Sequence, residues 1–174
     1  MSNPLRAALV GLLWLPALSY AGPLRDDVLE LLNGYEDAPT ATDFAKLGDG
    51  VSAELMEIAD DHGVASSRRS RAISALQHYP QPTVRGFLES HLDQADKGIL
   101  RRKAAMALGA GFGAEAVPKL TGALDDDDTL VRVAVVQALG MTQAPEAREV
   151  LEARLENEQV ESVRTAIAKA LEAK

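Results

Sequence analysis

Cysteine is absent from this sequence, tryptophan occurs once, and aromatic residues make up only 4% of it. Without cysteine there is no disulfide framework, no thiolate nucleophile and no Cys-ligated metal, so stability has to come from packing. With 47% hydrophobic residues and so few aromatics, the core must be built from Ala, Leu, Val and Ile, side chains that suit closely packed helices. Basic residues are also in short supply: 18 Lys and Arg stand against 26 Asp and Glu, a formal net charge of −8. That balance argues against broad affinity for nucleic acid or anionic lipid and suits a basic partner better. No apolar run reaches the ~20 residues that a membrane-spanning helix needs. The length of 174 residues fits one domain of ordinary size rather than two.

The start of the chain has its own pattern. Met1 to Ala21 combine a short region carrying Arg6, an apolar run from Ala7 to Leu15, then Pro16 and the small-residue ending Ser19-Tyr20-Ala21. This is the layout of a secretory signal peptide, with cleavage expected before Gly22, so the protein is expected to be exported, to a periplasm or outside the cell. No cysteine follows the run to accept a lipid, and the run is too short for a lasting anchor. Cleavage would remove Arg6 and Trp14, leaving a more acidic chain without tryptophan.

Beyond residue 21 the sequence repeats itself. The segments Arg69-Ser-Arg-Ala-Ile-Ser-Ala75-Leu76, Arg101-Arg-Lys-Ala-Ala-Met-Ala107-Leu108, Arg132-Val-Ala-Val-Val-Gln-Ala138-Leu139 and Arg164-Thr-Ala-Ile-Ala-Lys-Ala170-Leu171 align without gaps. Their leucines, at 76, 108, 139 and 171, step by 32, 31 and 32 residues, a period that signals a helical repeat array. A second register follows the first three, with the pairs Leu88 and Leu92, Leu120 and Leu124, and Leu151 and Leu155. Two helices per repeat follow. Apolar spacing of three and four supports this, since Ala72, Ile73 and Leu76 share a face, as do Val135, Val136 and Leu139. Ser66 and Asp128 are expected to cap helices, Pro118 to sit in a first helical turn, and Pro80, Gly109, Gly111, Gly113 and Gly140 to occupy turns. Ala75, Ala107, Ala138 and Ala170 precede the leucines, where small side chains let neighbouring helices approach closely.

The pattern Val131-Arg132-x-x-Val135-x-x-Ala138-Leu139-Gly140, together with Ala116-Val117-Pro118-x-Leu120-x-x-x-Leu124-Asp125, resembles HEAT repeats, especially the short variety also found in phycobilin lyases. The resemblance is good from Ser66 to Lys174. It is weaker from Pro39 to Gly63, where Phe44 to Gly48 and Leu55 to Ile58 suggest one divergent repeat. It implies an all-α, right-handed α-solenoid of about ten helices. Residues 22–63 would form a capping helix, Arg25 to Asn33, and the divergent repeat; residues 64–174 would form the main array, closed by a C-terminal helix from Val160 to Ala173 with Glu161, Thr165, Lys169 and Glu172 facing water.

Arg69, Arg101, Arg132 and Arg164 lie seven residues before core leucines, on nearly the same inward face, and are expected to be a structural ladder joining repeats. Their expected acidic partners are in the preceding connections: Asp96 for Arg101, Asp128 for Arg132, Glu158 for Arg164. Asp125 to Asp128 lacks the ligand spacing of a calcium loop and is expected to be a solvated turn capping the next helix. Gly109-Ala-Gly111-Phe112-Gly113 lacks the Lys-Ser/Thr ending of a phosphate loop and is expected to be a turn with Phe112 plugging the junction. His62, His78 and His91 lie on separate segments with no metal-ligand spacing, and the His-Glu pairs by which some HEAT-like hydroxylases hold iron are missing. No catalytic residue, cofactor or metal is therefore expected. The resemblance further implies a concave face formed by the second helix of each repeat. Taking that helix from the second leucine register, the protein-binding groove would present Arg85, Glu89, Lys119, Arg148, Glu152 and Arg154 to an unidentified protein partner, with no nucleic acid and no membrane span. The alternatives are a lyase-like, chromophore- or metal-handling enzyme and a structural subunit of an envelope assembly.

Overall fold

A computed structural model of the chain describes residues 22–34 and 39–172; the expected signal segment lies outside them. Among the described residues all regular structure is helical, with ten α-helices: α1 Pro23–Leu31, α2 Ala41–Ala45, α3 Val51–Asp60, α4 Ser66–Ala75, α5 Pro82–Gln94, α6 Gly98–Phe112, α7 Val117–Gly122, α8 Thr129–Thr142, α9 Pro145–Asn157 and α10 Glu161–Glu172. None of these is long and apolar enough to cross a membrane.

The leucines named by the repeat do form the core. Leu76, Leu88, Leu108, Leu120 and Leu139 are wholly buried, as are Ile73, Val131, Val135 and Val136 between them. Each such side chain contributes about 1.5–3 kcal/mol by leaving water. Leu155 and Leu171, in the last hairpin, are only partly buried. The exposed Glu161, Thr165, Lys169 and Glu172 give α10 a polar outer face as expected.

The helices form two layers. In one, α4, α6, α8 and α10 pack side by side; in the other lie α3, α5, α7 and α9, each packed on the Arg-bearing helix that follows it. The structural hairpin is therefore the helix of the second leucine register followed by the Arg-bearing helix, which is the second of its pair. The period alone does not say where one hairpin ends and the next begins.

Spacing within the layers differs for a reason visible in single residues. A Cβ on Gly109 would lie 2.5 Å from the Ala138 carbonyl oxygen, and one on Gly111 would lie 2.8 Å from that of Gln77. The backbones of α6, α8 and the end of the α4 segment thus approach closer than any side chain allows. Both glycines, expected in turns, are inside α6, and Gly140 is inside α8; Gly113, with φ of 53°, is the one that makes the turn. The α5, α7 and α9 layer is instead spanned by long ion pairs, Arg85 to Glu115 at 2.5 Å, Lys119 to Asp93, and Arg154 to Asp125 at 2.6 Å. A stack drawn together on one side curves toward it, so the concave face is that of α4, α6, α8 and α10.

At the N-terminal end, Val28, Leu32 and Phe44 are buried against the first hairpin. Thr40 and Asp43 form a reciprocal capping box at the start of α2. The Arg25 guanidinium joins α1 to α3 through Glu54 at 2.9 Å and Asp61 at 2.5 Å. Arg71 Nη1 donates to the carbonyls of Leu32 and Gly34, fastening this cap to α4.

Candidate functional site

The arginine ladder is a set of joints between repeats. Arg101, Arg132 and Arg164 each donate from Nη1 to the carbonyl six residues earlier, Ala95 at 2.9 Å, Asp126 at 2.8 Å and Glu158 at 3.0 Å. Those carbonyls end the preceding helix, where acceptors lack helical partners. The carboxylate partners come from the following repeat, not the preceding connection. Arg101 holds Asp126 through Nε at 2.8 Å and Nη2 at 3.0 Å, a bidentate geometry. Arg132 Nε faces Glu158 at 3.7 Å, a charge contact without a hydrogen bond. Arg164 takes only carbonyls, those of Leu155 and Glu158. Asp96 and Asp128, expected as partners, play no such part; Asp128 caps α8 by accepting from the Leu130 amide.

Two acids are thereby fixed in their charged form. Burial works to raise the Asp126 carboxyl, but hydrogen bonds from Arg101 and the Asp128 amide, with the charge of Arg132 behind them, hold it below its ordinary 3.8. The Val160 amide, against the effect of burial and aided by Arg154 and Arg132, holds Glu158 below its ordinary 4.5. The Asp125 to Asp128 run is thus divided: Asp125 meets Arg154, Asp126 meets Arg101, Asp128 caps a helix, and Asp127 is exposed. Ser66 does not cap α4, which begins on it; its hydroxyl accepts from Lys97 Nζ at 2.7 Å.

The expected groove residues fall on the other side of the molecule. Arg85, Glu89, Lys119, Arg148, Glu152 and Arg154 lie on α5, α7 and α9, the widely spaced layer, because the hairpin phase is shifted by one helix. They are largely occupied with one another and with neighbouring acids: Arg85 with Glu89 and Glu115, Lys119 with Asp93, Arg148 with Glu152, Arg154 with Asp125 and Glu158. Arg148 also donates to the Leu171 carbonyl at 2.9 Å.

The concave layer carries a groove of about 430 Å³, lined by Arg71, Ser74 and His78 of the α4 segment, Lys103 and Met106 of α6, and Met141 of α8, and closed at one end by Leu32, Pro39 and Phe44. Among the described residues no acidic side chain lines it. The absence extends to whole helices: α4, α6 and α8 contain Arg68, Arg69, Arg71, Arg101, Arg102, Lys103 and Arg132 and no Asp or Glu. The Nε of Arg102 is buried with no hydrogen-bond partner. Leu130 and Met141, the large hydrophobic residues most open to water among those described, at 56% and 47% exposure, lie at the two ends of one stripe on α8 with Val133 and Gln137 between them. An apolar stripe beside helices that carry cations and no acids is a surface built for contact.

Three further motifs have structural places. Phe112 packs against the core at the end of α6 as expected of a plug. His78 stacks on Phe44 with centroids 6.5 Å apart. His62 and His91, far apart in sequence, line one small cavity with Asp60 and Asp96, yet among the described residues no group of three or more such side chains converges enough to hold a metal.

Comparison with curated proteins finds no match. The family model for HEAT repeats matches residues 87–172, from the middle of α5 to the end of α10. That span holds three of the four Arg-to-Leu segments and both arginine-to-carboxylate joints of the ladder, and over it the chain is built of HEAT repeats.

Proposed function

We propose that the protein is an exported scaffold whose concave face grips an acidic, partly apolar segment of another protein. The observation that carries this reading is the separation of charge between layers. The acidic excess sits outside, as on α9 with Glu146, Glu149, Glu152 and Glu156, while among the described residues the charged lining of the groove is Arg71 and Lys103, beside Met106 and Met141. Net charge alone favours a basic partner; the charge of the surface that would do the binding favours the opposite. Methionine is apt for such a face because its flexible thioether adapts to irregular apolar partners. Members of the HEAT-repeat family commonly serve as protein-interaction scaffolds, and solenoids present extended concave surfaces to that end.

The test is site-specific photo-crosslinking in the native cell, with the crosslinker placed at Met106 in the groove or at Glu149 on the outer layer. One discrete partner captured from Met106 and not from Glu149 is the expected result. Capture from Glu149 alone would put the binding surface on the other layer. Export is checked by the intact mass of the recovered chain, which should begin at Gly22.

A further inference from the structure

Two rungs of the arginine ladder lack a carboxylate: Arg164, which takes only carbonyls, and Arg69, whose following repeat has no acid at the matching position. Ala95, Asp126 and Glu158 occupy the same place, the residue ending the helix before each Arg-bearing helix, and share one backbone conformation: φ and ψ of −62° and 128°, −57° and 137°, and −73° and 130°. Asp126 faces Arg101, 25 residues earlier, and Glu158 faces Arg132, 26 residues earlier. Ala95 stands 26 residues after Arg69 and offers it only a methyl group.

Arg69 is nevertheless the most buried arginine of the ladder, at 5% exposure. Its Nε donates to the Ala59 carbonyl at 2.7 Å. Its two Nη groups have no hydrogen bond or ion pair among the described residues. Arg69 lines a cavity of about 270 Å³, shared with Ser90, His91, Gln94 and Ala95. Asp60 and Asp96 line the same cavity, but Asp60 is largely exposed and meets His91 Nε2 at 3.3 Å, and Asp96 is exposed. Arg69 thus keeps donors to spare toward the cavity while its stem is buried, and the planar fork of a guanidinium matches a carboxylate.

We infer that the cavity beside Ala95 is a binding site for a carboxylate supplied from outside the chain, which takes on Arg69 the place that Asp126 takes on Arg101. Size and charge both select for this group. The cavity holds several heavy atoms, and the two acids at its mouth make a dianion such as phosphate a poorer guest than a monoanion. Ser90 and Gln94 are neutral hydrogen-bonding groups on the same wall, suited to the atoms next to the carboxylate. The site is separate from the concave groove and does not depend on it.

Thermal unfolding followed by circular dichroism tests this with acetate replacing chloride at constant ionic strength. The purified protein should gain a few degrees in Tm as acetate is raised, since a ligand bound only by the folded state stabilises it. Ala95→Asp supplies the carboxylate internally; this variant should melt higher than the wild type without acetate and should show no further gain with it. Ala95→Gln, which fills the cavity without charge, should also lose the response, so the test stands even if Ala95→Asp folds poorly. A short N-acetylated peptide with a free C-terminus, run beside its C-terminal amide, distinguishes a chain end from a small free carboxylate as the source. A gain from acetate, or from the acid peptide but not its amide, with loss of that gain in the variants, supports the site. Equal responses of wild type and variants, or no response of the wild type to either probe, overturn it.

Discussion

The two layers of this solenoid use their residues in opposite ways. In the layer of α4, α6, α8 and α10, glycine and alanine bring backbones into contact, and α4, α6 and α8 carry no acid. In the layer of α5, α7 and α9, charges of both signs pair across wider gaps and leave little that is unsatisfied. One layer sets the curvature and, on α4, α6 and α8, carries charge of one sign; the other neutralises itself. A binding surface is marked here less by the number of its charges than by their single sign.

Glycine substitutions contrast the layers most sharply. Gly109→Ala drives a methyl into the Ala138 backbone and should destabilise the fold by about 3 kcal/mol. Gly86→Ala, on the open face of α5 with nothing within 4 Å, should stabilise it by about 0.5–1 kcal/mol, because alanine is the better helix former. Thermal melts of the two variants should move in opposite directions; movement in the same direction would mean the layers are not spaced as described.

The neighbouring acids of the Asp125 to Asp128 turn show a smaller difference. Asp126→Ala removes a bidentate, mostly buried partner of Arg101 and should cost about 2 kcal/mol in a denaturant titration. Asp125→Ala, whose side chain is 82% exposed, should cost under about 0.5 kcal/mol. A comparable loss from both would contradict the division of that turn into a joint and a surface contact.

Acid titration should report the joints as a group. Asp126 and Glu158 titrate lower in the folded chain than their ordinary 3.8 and 4.5, so their stabilisation is fully present above those values and is lost as the pH falls through the lowered ones. The melting temperature should therefore hardly change above about pH 5 on their account and should fall below about pH 4, less steeply in Asp126→Ala. An equal slope in variant and wild type would remove Asp126 from the acid response.

Much of the fold can be read in the sequence because the four Arg-to-Leu segments align without gaps and the leucines bury where the period puts them. What escapes that reading is set by contacts across the repeat. Gly109 in a helix and Gly113 in a turn look alike until Ala138 is known to lie opposite the first. Asp128, four residues before Arg132, is the obvious local partner, whereas Glu158 reaches Arg132 only when the next hairpin folds over it. The groove is displaced for a related reason: a period of 31 or 32 residues fits two ways of pairing helices, and only packing chooses between them. The absence of acids from α4, α6 and α8 is plain in the sequence, but a net charge summed over the chain conceals it.

The most direct test of the concave face reverses its charge and leaves its fold intact. With a crosslinker at Met106, the double variant Arg102→Glu, Lys103→Glu should capture at most about a tenth of the wild-type amount of partner, since like charges now meet across the contact. Arg148→Glu, on the outer layer, should capture as much as the wild type, with the helical circular dichroism of all three unchanged. Undiminished capture by the double variant, or loss in Arg148→Glu alone, would contradict binding of an acidic segment in the groove.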